Sequence, residues 1–254
     1  MSKRGEQRIF ATGDTHGDFR RFGAKCFYEQ KEMTQDDYVI ICGDFGGLWN
    51  DSAEEQHDLN WLEKKPFTVL WVDGNHENFT MLSQYPVEEW HGGKVHRIRP
   101  NVIHLMRGQL YTIDGYTFFT MGGGGSHDVQ DGILDPADPQ FEYDLYWKSK
   151  RFEMFRIKGV SWWPEELPDE DEYEVAIKTL EQANWEVDYV ITHSAPSSIV
   201  AEINQRYETD QLTDFLEEVR RKLKFHYWLF GHYHDNRNIG NNFVLLYEQI
   251  VQVI

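Results

Sequence analysis

Along the chain, short runs of apolar residues recur, each closed by a turn rich in Gly, Asp or His. The first three are Arg8 to Thr12, Tyr38 to Cys42 and Thr68 to Val72; Tyr189 to Thr192 and Tyr227 to Phe230 follow near the C-terminus. Continuous apolar runs of this length between turn residues predict strands buried on both faces. Between them the spacing changes to i, i+3, i+4, i+7, clearest at Tyr173, Ala176, Ile177 and Leu180 and again at Leu212, Phe215, Leu216, Val219 and Leu223, which predicts amphipathic helices. Ser52 followed by Glu55 predicts a capping box opening a helix over about Ala53 to Lys65. Strand and helix alternate, as in an α/β sandwich.

The stretch from Val95 to Met121 breaks this alternation. It holds short strand-like pieces and an Asp114-Gly115 hairpin signal, and predicts antiparallel strands. A four-glycine run, Gly122 to Gly125, then leads into a segment rich in Asp, Pro and aromatics that extends to Pro164. Loops of that length in compact domains are often functional lids. The expectation is one domain over residues 1–254 with an inserted loop or lid at about 122–164.

Composition changes the picture in two ways. With 40% hydrophobic and 15% aromatic residues, 254 residues can bury a sizeable core. The balance of 25 basic against 43 acidic residues gives a formal net charge of -18, which repels polyanions at long range and disfavours extended nucleic acid as a partner. A small phosphate ester or nucleotide is easier to reconcile with that field. Met1 to Gln7 is polar and no apolar run approaches the length of a membrane span, so neither signal peptide nor membrane anchor is expected. Cys26 and Cys42 are the only cysteines and form no Cys-x-x-Cys pair, so a cytoplasmic location is the default expectation.

The chemistry lies at the ends of the predicted strands. After the first come Gly13, Asp14, Thr15, His16 and Gly17; after the second, Gly43 and Asp44; after the third, Gly74, Asn75, His76 and Glu77. His193 follows the fourth, and Gly231, His232, Tyr233 and His234 follow the fifth. Strand ends on one edge of an α/β sheet converge on one crevice, so these scattered groups can meet there. Carboxylate, imidazole and amide ligands suit divalent ions such as Mn²⁺, Fe²⁺ and Zn²⁺. Glycines beside them let the backbone approach a metal or substrate closely.

The ordered series Gly-Asp-x-His-Gly, Gly-Asp, Gly-Asn-His-Glu, Thr-His and Gly-His-x-His resembles the calcineurin-like metallophosphoesterase superfamily from Arg8 to about Tyr247. The stretch from Trp90 to Trp163 is similar to a bacterial and phage branch of it, through Gly122 to Gly125, Ser126, Asp128 and the Ser161 to Glu165 segment. The resemblance implies a four-layer α/β/β/α sandwich, two mixed sheets flanked by helices, with the site at the strand C-termini. It implies that Asp14, His16 and His234 hold one divalent cation, Asn75, His193 and His232 a second, and that Asp44 bridges both. Mn²⁺ is the first expectation, with Fe²⁺, Zn²⁺ and Ni²⁺ as alternatives. A bridging hydroxide would hydrolyse phosphate mono- or diesters, and His76 would protonate the leaving oxygen or stabilise its charge.

The protein-phosphatase branch carries an Asp and then an Arg beginning three residues after the bridging Asp. Gly47 and Leu48 stand there instead, which argues against a Ser/Thr protein phosphatase. Two rival readings accompany the phosphoesterase: a nuclease or nucleic-acid end phosphatase of the same fold, and a non-catalytic scaffold, against which the full ligand set and His76 argue.

Lys148, Lys150, Arg151, Arg156 and Lys158 lie among Tyr146, Trp147, Phe152 and Phe155. Such a mixture predicts an amphipathic surface piece with solvated charges and a buried aromatic side, in which Arg156 is the expected substrate contact. Lys94, His96, Arg97 and Arg99 are expected on the outer face of a strand. Trp162 and Trp163 are expected to pack the base of the inserted segment. The acidic run Glu165 to Glu174 is expected as a solvated helix start.

Overall fold

The computed structural model describes residues 7–254, so the polar start from Met1 to Glu6 lies outside the described residues. Three parallel strands carry the first three motifs: β1 (Ile9–Thr12), β2 (Tyr38–Ile41) and β3 (Thr68–Trp71). The side-chain period of two explains why every residue in them is apolar or nearly so. Ile9, Ala11, Ile40 and Leu70 face one hydrophobic cluster, while Phe10, Val39, Ile41, Val69 and Trp71 face another. The helix α1 (Ala53–Glu63) covers the latter side, followed by the short α2 (Phe79–Leu82) after β3.

The sheet continues with β4 (Val87–Trp90), β5 (Gly93–Arg99) and β6 (Val102–Leu105). β6 pairs in parallel with β3 and antiparallel with β5. The hairpin β7 (Gln109–Ile113) and β8 (Tyr116–Met121) belongs to a second sheet, and its turn has the positive φ angles, 50° at Asp114 and 84° at Gly115, that the Asp-Gly pair favours. A short parallel ribbon, β9 (Ile133–Leu134) with β10 (Arg156–Ile157), brackets α3 (Phe141–Lys150). After α4 (Glu170–Gln182) come β11 (Tyr189–Thr192), α5 (Ser197–Ile203), α6 (Gln211–Lys222) and β12 (Tyr227–Phe230). β13 (Arg237–Ile239) and β14 (Phe243–Leu245) complete the second sheet, and β15 (Ile250–Gln252) returns antiparallel to β1 in the first.

Among the described residues the result is a seven-stranded and a six-stranded mixed sheet, face to face. Ile40, Leu70, Ile103, Tyr111, Phe118 and Ile191 fill the space between them. α4, α5 and α6 cover the far side of the second sheet with Ala176, Leu180, Val200, Leu212, Leu216 and Val219. This is the expected four-layer α/β/β/α sandwich.

Several local expectations need correction. Ser52 Oγ accepts the Glu55 N–H at 3.2 Å, but the Glu55 carboxylate turns back to the N–H groups of Trp49, Asn50 and Asp51 at 2.6, 2.9 and 3.2 Å, so the box is only half formed. Those three donors belong to a tight turn ahead of the helix and would otherwise lack partners. The inserted segment is more than a loop, since it contains α3. That helix has no buried residue: Tyr143 is 65% exposed and Phe152, just beyond it, 93%. The buried aromatic side expected there is absent: among the described residues α3 meets chiefly the two-residue β9, too small a surface to cover its aromatics. On β5, His96 points inward with Nδ1 2.9 Å from Tyr85 O, unlike exposed Lys94. Trp163 does pack the base, with its indole N–H on Thr80 Oγ1 at 2.9 Å and its ring edge-on to Trp49.

Candidate metal centre

β1, β2 and β3 run parallel to one another, as do β11 and β12, so the loops after their C-terminal ends meet at one edge of the sandwich. Local strain marks that edge. His16, Asp44, His232 and His234 have φ angles of 46°, 48°, 70° and 48°, in the left-handed region that few non-glycine residues occupy. Neighbouring glycines make the approach possible. A Cβ on Gly43 would stand 2.1 Å from His193 Nδ1, one on Gly74 2.0 Å from Asp44 Oδ1, and one on Gly231 2.1 Å from Asp14 Oδ1.

All seven expected ligand residues come together here, in two groups joined by Asp44. In the first, His234 Nε2 is 3.1 Å from Asp14 Oδ2 and 3.1 Å from His16 Nε2, and His16 Nε2 is 3.7 Å from Asp44 Oδ2. In the second, His193 Nε2 is 3.1 Å from Asn75 Oδ1, 3.2 Å from His232 Nδ1 and 3.4 Å from Asp44 Oδ1. Asp44 thus turns one oxygen to each group. Asp14 Oδ1 also approaches His193 Nδ1, at 3.9 Å, but it already accepts the His232 N–H at 3.0 Å.

The second group carries a decisive detail. His193 Nδ1 lies 2.8 Å from the Cys42 carbonyl, which can only accept, so the ring proton sits on Nδ1 and Nε2 presents a lone pair. Asn75 donates its NH₂ to Ser126 Oγ at 3.3 Å, so its carbonyl oxygen faces that lone pair. Acceptor atoms facing one another in a buried pocket repel unless a cation lies between them. The donor set, imidazole nitrogens with carboxylate and amide oxygens, fits a divalent ion.

Burial and mutual repulsion shape the titration of these groups. Burial holds the His232 imidazole well below its ordinary value, and neighbouring His193, His127 and His76 push the same way. His16 and His76 are also lowered, chiefly by burial, against the pull of Asp44. Burial alone would raise the Asp14 carboxyl, but His193, His234 and the His232 N–H together hold it low. His234 is raised by its bond to that carboxylate. Glu77 is pushed well above the usual carboxyl range by burial and then by Asp44, while its Oε1 accepts the Phe45 N–H at 2.8 Å.

Beside the cluster opens a cavity of about 810 Å³, lined by Asp44, Asn75, His76, Ser126, Asp128 and Tyr207 among others. His76 stands at its wall, its ring edge-on to His16 at 5.4 Å. Arg156 is not part of that lining. It is bonded through Nη2 to Asp128 Oδ2, and both residues act on His76 through space.

The family profile of the calcineurin-like phosphoesterases matches residues 7–236, which include all seven clustered residues and His76. The chain belongs to that family. Members of it imply divalent metal ions, in keeping with the donor set. Among relatives, the lariat debranching enzyme of Danio rerio is 22% identical over 171 residues, covering 60% of this chain and 29% of the relative. Lariat debranching enzyme A of Xenopus laevis is 21% identical over 256 aligned positions, 89% of this chain and 42% of the relative. The chain spans less than half the length of these relatives.

Four residues near the site were not anticipated in these positions. Arg21 reaches under the first loop and donates to the carbonyls of Gly13 at 3.2 Å and Asp14 at 2.7 Å. Glu166 is buried and bonded to Ser126, contrary to its reading as part of a solvated acidic run. His127 touches His232, and Asp128 pairs with Arg156. Ser126 and Asp128 were visible as a motif after the glycine run, but no local pattern distinguishes Glu166 from the acidic residues beside it. None of the described helices is long and apolar enough to cross a membrane.

Proposed function

We propose that this chain, as one domain, is a metal-dependent phosphoric ester hydrolase that uses two divalent cations, Mn²⁺ first among them, to cleave phosphate mono- or diesters. The observation that carries this reading is the set of facing acceptors at His193, Asn75 and Asp44, with His232 beside them, joined through Asp44 to Asp14, His16 and His234. When bound, the cations supply an activated water and neutralise charge on the phosphate. Asp44 orients both groups at once. His76, on the cavity wall, gives a proton to the leaving oxygen or stabilises its charge as the P–O bond to the leaving group breaks. Arg156, outside the cavity lining but paired with Asp128 of that lining, is the group we assign to a phosphate oxygen of an ester that extends past Asp128, and the 122–164 segment forms one side of the substrate cleft.

A nucleic-acid phosphodiester is the second reading, favoured by the lariat debranching enzymes among the relatives. The net charge of -18 weighs against extended polyanions, so small esters and nucleotides stand first. One panel tests both: an aryl phosphomonoester, an aryl phosphodiester, nucleotides, cyclic nucleotides and a short single-stranded oligonucleotide, each with added Mn²⁺ and after chelation. Turnover of a small ester that chelation abolishes is expected. Full activity in excess chelator with no retained metal would overturn the proposal, and turnover of the oligonucleotide alone would move it to the second reading.

A further inference from the structure

The loop that follows β8 is fastened before it reaches the cluster. Gly123 N–H donates to Asp73 O at 2.8 Å and Gly124 N–H to Glu166 O at 3.0 Å. A Cβ at Gly124 would stand 3.1 Å from His193 Cδ2, 3.4 Å from His232 Cε1 and 3.5 Å from Asn75 Oδ1, so the loop backbone lies against three residues of the second group. The next two side chains each hold one of those residues. Ser126 Oγ accepts from Asn75 Nδ2 and donates to buried Glu166 Oε2 at 2.6 Å, while Ser126 N–H donates to Glu166 Oε1 at 3.0 Å. His127 Nε2 lies 2.9 Å from His232 Nε2, and the His127 ring stacks on Tyr207 with an interplanar angle of 17°.

These contacts decide which atoms face the cluster. An amide can present either its oxygen or its NH₂, and an acceptor at Ser126 Oγ keeps the NH₂ of Asn75 turned away, leaving Oδ1 toward His193. A neutral imidazole carries one N–H. If that proton points from His232 Nε2 to His127 Nε2, His232 Nδ1 is left with its lone pair toward His193 Nε2. The side chains of Asp14, His16 and His234 make their hydrogen bonds elsewhere among the described residues, to one another and to the His232 N–H.

We infer that Ser126 and His127 are positioning residues for one metal position only: Ser126, backed by Glu166, sets the carbonyl of Asn75, and His127 sets the tautomer of His232. The inserted segment then governs metal affinity at the Asn75, His193 and His232 position and leaves the Asp14, His16 and His234 position alone. The inference rests on the two-metal reading above. Loss of such an outer partner weakens metal binding by about 10- to 100-fold.

The test is Mn²⁺ titration by calorimetry, with bound ions counted by mass spectrometry, on the metal-stripped wild type and the variants Ser126→Ala, Ser126→Thr, His127→Phe and His127→Gln. The thermal midpoint of each metal-free protein reports folding. Wild type should bind two ions. Ser126→Ala and His127→Phe should each keep one affinity and weaken the other by about 10- to 100-fold. Ser126→Thr keeps the hydroxyl and His127→Gln supplies a carbonyl acceptor, so both should recover the second affinity. Two wild-type ions with unchanged affinities in all variants, or equal weakening at both positions, overturns this inference alone. Fewer than two ions in a folded wild type overturns the two-metal reading and this inference with it.

Discussion

The backbone N–H of His76 donates to Asp44 Oδ1 at 2.8 Å, tying the loop that carries the proposed proton donor to the carboxylate that joins the two ligand groups. The same oxygen lies 3.4 Å from His193 Nε2 and its partner Oδ2 3.7 Å from His16 Nε2. The two ligand groups and the loop of His76 are therefore tied together by one side chain.

Asp44→Asn should be the most damaging of the ligand substitutions. It removes a charge shared by both groups and places an NH₂ where an acceptor is needed, either against the His76 N–H or against His16. Bound Mn²⁺ measured after gel filtration should fall at both positions, with activity lost in parallel. Retention of two ions per chain would show that Asp44 is not shared.

His76→Ala should leave metal content intact, because its side chain belongs to neither ligand group. Turnover should fall by about 10² to 10⁴, the usual worth of general acid catalysis. A series of aryl esters checks the role: the loss should shrink as the leaving group becomes a better one. Equal loss across the series would remove His76 as a proton donor.

Arg156→Ala should raise KM for the preferred ester by removing a charge-assisted bond worth about 1.5 to 3 kcal/mol. Asp128 has one carboxylate oxygen on Arg156 and the other buried without a partner among the described residues, so Asp128→Asn should raise KM less, by loosening Arg156. Measuring KM and thermal midpoint on the same variants separates this from a packing role, for which stability alone would fall.

Glu217 links α5 to α6 by accepting from Ser198 Oγ at 2.7 Å and Arg220 Nη2 at 2.8 Å. The Arg220 bond first, and the Ser198 bonds after it, hold its carboxyl at about 2, against burial. Its folded value is below its ordinary 4.5, so the stabilisation is complete above pH 4.5 and is lost as pH falls through about 2. Glu217→Gln should cost about 2 kcal/mol at neutral pH. Denaturant unfolding at a series of pH values should show the gap between wild type and variant closing below 4.5.

The strands and the residues at their ends were legible in the sequence because both obey local rules. Apolar runs such as Tyr38 to Cys42 must be buried on both faces, and Gly-Asp or Gly-His after such a run places a donor where the chain turns. From five such turns the convergence of Asp14, His16, Asp44, Asn75, His193, His232 and His234 followed, given parallel strands. What surrounds them did not follow. Glu166 reads as one more carboxylate in an acidic run, and only the path of the chain after β8, pinned by Asp73 and by Glu166 itself, brings it to Ser126. Tyr146, Trp147, Phe152 and Phe155 read as the buried side of an amphipathic piece, since a mixture of charged and aromatic residues does not report whether another layer covers the aromatics. Local pattern is set by backbone periodicity and turn chemistry, which lie within a few residues. The pairings of Ser126 with Asn75, His127 with His232 and Asp128 with Arg156 span 51, 105 and 28 residues, and tertiary structure decides them: β8 facing β3 of the other sheet, β8 and β12 flanking β11, and the β9–β10 ribbon.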